Sequence, residues 1–304
     1  MSEEATFELQ AVVRQLALER QRWREAQRRN NELGGREFPS REAIVQLVQS
    51  LKGVLFPMRL GPIDLRQSSE DYYVGYTLDA VLHGLRAQIQ LELHLAQTGK
   101  THADLEAQAL AHTHTFAIAL PEVRRLLDSD VLAAFHGDPA ARSVDEVLLC
   151  YPGILAMIHH RLAHQLYRQG LGLLARIISE IAHSTTGIDI HPGAHIGGSF
   201  FIDHGTGVVI GETAVIGERV RIYQNVTLGA KRFAVDAQGH LIKNQPRHPV
   251  LEDDVVVYAG ATVLGRVRLG QGATIGGNVW LTHDVPAGTH ITQAANARHE
   301  SPSP

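Results

Sequence analysis

His204 and Asp189 carry the residue types that most directly imply chemistry. His204 sits in Asp203-His204-Gly205-Thr206-Gly207, and Asp189, in Asp189-Ile190-His191-Pro192, precedes it by 15 residues. An imidazole with an ordinary pKa of about 6.5 is the side chain best matched to take the proton of an attacking hydroxyl near neutral pH. A carboxylate bonded to its second ring nitrogen fixes the tautomer and stabilises the imidazolium, as in the hydrolase triads. Plainer readings stand beside this one. Asp189 and Asp203 both suit corners where a carboxylate bonds backbone N–H groups.

The elements that must position these residues announce themselves by period. Ile190, Ile196 and Ile202 fall six apart; Ile210, Ile216, Ile222 and Leu228 repeat the step, and so do Leu251, Val257, Val263, Leu269, Ile275 and Leu281. Six fits neither the strand period of 2 nor the helical 3.6. Glycine often follows the aliphatic position, as in Ile196-Gly197, Ile210-Gly211, Ile216-Gly217 and Ile275-Gly276. That pattern predicts a parallel β-helix, in which each hexad supplies a short strand and a corner and three hexads close a coil of about 18 residues. Asp189 and His204 then come close to one another on neighbouring turns. The register breaks twice. Two extra residues lie between Ile202 and Ile210, within Asp203–Gly207, and a longer excursion extrudes the loop from Lys231 to Arg247. A loop of that length on a compact repeat is more often functional or flexible than structural.

The first 186 residues read differently. Leu9, Val12, Val13, Leu16 and Leu18 among Arg, Gln and Glu suit an amphipathic helix from about Ala5 to Arg29, whose basic run is interleaved with acids and reads as a solvated face. Ser40 caps a helix carrying Ile44, Val48, Leu51 and Leu55. Helical spacing resumes over 71–97 and 104–119, Pro121 is expected to open another helix, Ser143 with Glu146 forms a capping-box pattern, and Pro152 begins a helix that runs over 154–183. The predicted fold class is α+β: a helical domain over 1–186, a β-helix over 187–290 with the loop 231–247, and a flexible tail over 291–304.

Composition narrows the function classes. The 304 residues are 44% hydrophobic, enough for an ample core, and the net charge of −4 gives no electrostatic case for nucleic acid. The acidic start MSEEATFELQ is no secretory signal, and no apolar run is long enough to span a bilayer, so a cytoplasmic protein with no membrane partner is expected. Cys150 is the single cysteine, which rules out an internal disulfide and thiolate zinc sites. His112 with His114 and His160 with His164 lack a third ligand at suitable spacing and are read as structural; no metal is expected.

At this point the sequence resembles a known family. The runs GIDIHPGAHIGG, IDHGTGVVIGETAVIG and VTLGAKR, and the pair Arg247-His248 before Pro249, are similar to those of serine O-acetyltransferases, hexapeptide-repeat acyltransferases of the bacterial cysteine pathway. The resemblance covers about residues 137–290. It implies a left-handed β-helix and transfer of an acetyl group from acetyl-CoA to the hydroxyl of L-serine. It places His204 as general base, Asp189 as the orienting carboxylate, Asp203 and Asp138 beside the amino-acid substrate, and Arg247 and His248 at its carboxylate. A zwitterionic acceptor needs anions for its ammonium and a guanidinium for its carboxylate. On residue chemistry alone Asp138, before Pro139, reads as a helix cap, and Arg247 as a surface loop residue.

The same resemblance implies that the pantetheine arm lies in a groove between subunits, with Gly229, Ala230 and Ala259 as small positions that let it approach. The assembly it implies is a trimer or a dimer of trimers. Thr274 stands where some members have a lysine near the nucleotide end, and the inserted loop, with Phe233, Asp236 and Gly239, is longer than the common form. Members that bind O-acetylserine sulfhydrylase end in an isoleucine, whereas this chain ends His299-Glu300-Ser301-Pro302-Ser303-Pro304, so no such tail-mediated complex is expected. Two other classes stand as alternatives. A zinc enzyme resembling γ-type carbonic anhydrase needs three convergent imidazoles, a spacing that His191, His195, His204, His240, His248, His283 and His290 do not match. A non-catalytic scaffold needs no buried-charge cluster. Nearer rivals are other hydroxyl acceptors, homoserine or a sugar.

Overall fold

A computed structural model describes residues 9–27, 38–96, 101–232, 236, 238–242 and 245–293. Phe233 and the tail Ala297–Pro304 lie outside the described residues. Contacts gather 38–304 into one compact unit and 1–37 into another. Within the latter, α1 (Leu9–Ala26) is the amphipathic helix the sequence predicts.

Seven helices follow. They are α2 (Arg41–Leu55), the single turn α3 (Pro57–Leu60), α4 (Glu70–Ala96), α5 (His102–Gly137), α6 (Val144–Cys150), α7 (Pro152–Tyr167) and α8 (Gly172–Thr186). The caps are those the side chains permit. Ser40 Oγ accepts from the Ala43 N–H at 3.2 Å and Ser143 Oγ from the Glu146 N–H at 3.1 Å, while Pro57 and Pro152 open helices where a missing N–H costs nothing. Two expectations fail here. Pro121 opens no helix but lies inside the 36-residue α5. Its one lost hydrogen bond is outweighed by a stripe at helical spacing, Phe116, Leu120, Val123, Leu127 and Val131, all buried on one face. Conversely, the expected helix over 154–183 is two helices, broken at Gly170 with φ +82°, a backbone conformation that ends an α-helix.

Gly187, at φ +69°, stops α8 by donating its N–H to the His183 carbonyl at 2.9 Å, and the chain turns into the β-helix. Three parallel sheets form its walls. The first stacks β1 (Asp189–Ile190), β4 (Val209–Ile210), β7 (Thr227–Gly229), β10 (Thr262–Leu264) and β13 (Trp280–Leu281). The second stacks β2 (His195–Ile196), β5 (Val215–Ile216), β8 (Val250–Leu251) and β11 (Arg268–Leu269); the third stacks β3 (Phe201–Ile202), β6 (Arg221–Ile222), β9 (Val256–Val257), β12 (Thr274–Ile275) and β14 (His290–Ile291). This is the left-handed parallel β-helix, and Ile291, assigned to the tail, still belongs to its last strand, opposite Ile275.

Every aliphatic hexad position from Ile190 to Leu281 is buried. A second inward position lies two residues earlier, where Ile188, Ala194, Phe200, Val208, Ala214, Val220, Val226, Val255, Ala261 and Val267 are also buried. Two side chains per hexad, not one, fill the interior. The helices dock on this prism through a buried ion pair. Arg161 of α7 donates to both oxygens of Asp130 of α5 at 2.6 and 2.8 Å and to the Gly197 carbonyl at 2.8 Å, and Asp130 accepts the Phe200 N–H at 2.9 Å. Each charge removed from water is thus hydrogen-bonded, the condition under which burial is tolerated.

Candidate active site

The residues singled out by sequence fall at two corners of the prism. At the corner between the third and first sheets, the two extra residues lift Asp203–Gly207 off the wall. His204 takes φ +59°, a left-handed conformation uncommon for a non-glycine residue, and holds its side chain 73% exposed. Only glycine fits three residues later: a Cβ on Gly207 would stand 2.2 Å from Asn225 Oδ1, and its φ is +76°. Asp203 is buried instead. Its Oδ2 accepts from Arg221 at 2.6 Å, and its Oδ1 lies 3.9 Å from His204 Nε2.

Asp138 comes to the same corner as the C-cap of α5. One oxygen accepts the Ala140 N–H at 2.8 Å and the other accepts the Tyr151 hydroxyl. Those two bonds, Tyr151 first, hold its carboxyl below the usual range, with Arg221 and His204 near enough to add to the effect. The same bond pushes the Tyr151 hydroxyl up to about 12. Asp138 thus stands at a helix end with its carboxylate bonded to the turn that follows.

Asp189 is not joined to His204 in the chain. It faces outward on β1, opposite Val209, and its carboxylate gathers with Glu180 and His183 of α8, their potential ligand atoms all within 4.8 Å of one another. Glu180 is itself paired with Arg176, and His183 Nδ1 lies 3.3 Å from it. The carboxylate within 4.0 Å of the His204 ring is that of Asp203.

Arg247 and His248 occupy the next corner, between the first and second sheets, where the long loop returns to β8. Arg247 donates to Glu212 Oε2 at 2.5 Å, and Glu212 also accepts the Tyr167 hydroxyl at 2.8 Å. Burial pushes the Glu212 carboxyl up, but those two hydrogen bonds outweigh it and hold it below its ordinary range. His248 is only 7% exposed. Thr213 Oγ accepts the N–H groups of Arg247 and His248 at 2.9 and 3.1 Å, so its own proton goes to His248 Nδ1 at 2.9 Å, beside the Thr213 N–H at 3.0 Å. Nδ1 is therefore an acceptor, and the ring carries its proton on Nε2. Burial, then the adjacent Arg247, pushes this imidazole down to about 4, so it is neutral at neutral pH.

Gly229 and Ala230 lie at this second corner, at the end of β7, whereas Ala259 lies at the His204 corner, between β9 and β10. Sequence reasoning missed Glu212, Thr213, Tyr167, Tyr151 and Arg221. Thr213 and Glu212 are 35 residues from their loop partners His248 and Arg247, and no local motif flags such pairs. The paired imidazoles of α7 are structural: His164 bonds the Pro192 carbonyl at 2.8 Å, and its ring lies 5.6 Å from that of buried His160.

No family model matches the sequence. Individual relatives do. A plasmid serine acetyltransferase of Synechococcus elongatus is 60% identical over 262 residues, which cover 84% of this chain and 82% of the relative. Among solved structures, serine acetyltransferase isoform 3 of Entamoeba histolytica, in complex with cysteine, superposes with a TM-score of 0.69 at 35% identity over 85% of this chain and 83% of its own. Soybean serine acetyltransferase, complexed with serine, superposes with a TM-score of 0.53 at 32% identity over 83% of this chain and 96% of its own. This left-handed β-helix thus has acetyltransferases as its structural neighbours. The chain belongs to the serine acetyltransferase family.

Proposed function

We propose that this chain transfers the acetyl group of acetyl-CoA to the hydroxyl of L-serine, giving O-acetyl-L-serine and CoA, the reaction that opens cysteine biosynthesis. The observation that carries the reading is the raised corner at which an exposed His204 stands 3.9 Å from Asp203, with Asp138 near enough to feel its charge. The serine hydroxyl attacks the thioester carbonyl while His204 takes its proton; the C–S bond then breaks, and the imidazolium returns a proton to the CoA thiolate. Asp138 and Asp203 face the ammonium. Arg247 and the Nε2–H of His248 donate to the carboxylate, and Gly229, Ala230 and Ala259 leave room for the pantetheine arm. Asp189 keeps the orienting role in this proposal, which requires its carboxylate to turn from His183 to His204 when the site assembles.

The two half-sites lie at different corners of one prism, so in this reading a site is completed between copies, His204 from one and Arg247 with His248 from the next. That supports a homo-oligomer, a trimer or a dimer of trimers. The zinc alternative lacks support of the same kind: the one group of three ligand-type side chains whose atoms converge among the described residues, Glu180, His183 and Asp189, holds a single imidazole. Among the described residues no helix is long and apolar enough to cross a membrane. The deciding experiment is thiol release from acetyl-CoA, followed with serine, homoserine and a sugar in turn. Release with serine alone is expected; equal release with homoserine, or none with serine, overturns the reading.

A further inference from the structure

We propose that Arg221 is a positioning residue of this site, its guanidinium tying the turn that carries Asp138 to the carboxylate that flanks His204. By sequence Arg221 is an ordinary outward residue of a β-helix strand. The register gives it a particular neighbour, since β6 lies on β3 with Arg221 opposite Phe201, two residues before Asp203. One terminal nitrogen donates to Asp203 Oδ2 at 2.6 Å, and the other donates to the carbonyl of Gly137, the residue before Asp138, at 2.7 Å. The guanidinium carbon stands 4.9 Å from the ring centroid of Phe201 and 4.7 Å from that of Tyr223, which stacks on Tyr258 at 5.1 Å. Two rings and two hydrogen bonds leave this side chain, 26% exposed, one available geometry.

The tie has a mechanical and an electrostatic consequence. It fixes the separation between the end of α5, with Asp138, and the raised corner, with His204. It also balances Asp203, so that the ring 3.9 Å from Oδ1 faces a paired carboxylate rather than a bare anion. The groups that face His204 are then Asp203, from the end of β3, and Asp138, from the cap of α5, the latter bonded to Tyr151 and the former to Arg221. Without Arg221 a largely buried Asp203 carboxylate is left without its counter-ion and the Gly137 carbonyl without this donor, so the corner and the turn before Asp138 are no longer held together.

The inference rests on the acyl-transfer reading and is tested with Arg221→Met and Arg221→Lys in the full chain. With Arg221→Met, kcat/KM for serine is expected to fall about 100-fold, the effect of a misplaced reacting geometry, with the KM for acetyl-CoA little changed. Arg221→Lys keeps the charge but has no second arm to span both anchors, so the fall in kcat remains, less deep than in Arg221→Met. Full activity in both variants, or a KM for acetyl-CoA that rises as far as kcat/KM for serine falls, overturns the inference. If Arg221→Met does not fold, Arg221→Lys decides: lowered kcat at unchanged Tm supports the tie, and wild-type kcat refutes it. Were wild type inert toward serine, the acyl-transfer reading would fall; an active wild type beside a fully active Arg221→Met would sink the tie alone.

Discussion

A methyl group on Gly211 tests the second corner more sharply than deletion of any polar side chain. A Cβ there would stand 2.0 Å from Cδ2 and 2.1 Å from Nε2 of His248, and the three atoms nearest to it all belong to that ring. Ordinary carbon contacts begin near about 3.5 Å, so the buried imidazole must shift by more than about 1 Å. The shift breaks both bonds to Nδ1, from the Thr213 N–H at 3.0 Å and the Thr213 hydroxyl at 2.9 Å. At about 1 kcal/mol each, Gly211→Ala is expected to destabilise the fold by about 2 kcal/mol, and a displacement of that size costs roughly 100-fold in kcat/KM for serine. The assay is a double-mutant cycle with His248→Ala, read in denaturant midpoints and in kcat/KM. Where the ring is absent the methyl occupies its space, so Gly211→Ala should add little in the His248→Ala background, a coupling of about 2 kcal/mol. Additive effects, or a single variant with wild-type kinetics, would refute the reasoning.

His204→Ala should lower kcat by on the order of 10²- to 10⁴-fold while acetyl-CoA binding, measured by calorimetry, stays near wild type; retained turnover sinks the general-base assignment. Arg247→Ala should raise the serine KM and leave that for acetyl-CoA nearly unmoved, since a charge-assisted bond is worth roughly 1.5–3 kcal/mol; equal rises would place Arg247 on the nucleotide side. The fold should weaken in acid. His248 is held neutral, at about 4 against an ordinary 6.5, so the unfolded chain binds more protons between those values and stability rises with pH. The contribution is complete above about pH 6.5 and lost as pH falls toward 4, a change on the order of 3 kcal/mol, with buried His160 pushed the same way. Thermal midpoints at pH 7.5, 6, 5 and 4 measure the slope, which His248→Gln should flatten; equal midpoints across the range would contradict it.

The prism was legible because its signal is periodic and apolar. Ile190 to Leu281 lie on walls where each strand pairs with the coils on either side, and one wrong register would expose them all. The two breaks in that period mark both corners of the candidate site. What escaped was the partner of each polar residue. Glu212 and Arg247, or Arg221 and Asp203, meet because one coil lies on another, and the excursion of the chain over 231–247 hides the first pair from any fixed spacing. Helix boundaries failed where a local rule met tertiary packing: Pro121 is overruled by its buried neighbours, and Gly170 breaks a run that apolar spacing alone reads as continuous. Asp189 shows the opposite limit, since sequence separation put it near His204 and the side chain turned to His183 instead.

The stacking of one coil on the next also fixes how this half of the chain comes to exist. Each strand hydrogen-bonds only to the coils directly before and after it, so the structure is a linear array in which every added turn templates its successor. Its first wall is already covered, since α8 packs against β1 and Glu92 of α4 accepts the Leu173 and Leu174 N–H groups at 2.8 and 2.9 Å to seat that helix. The helices therefore supply the first coil with a finished neighbour, so that end of the array needs no further coil to cover it. Most of its contacts close loops of about one coil, which keeps the entropic barrier to each step small. The excursion over 231–247 is the exception, the connection at which a longer stretch of chain must close.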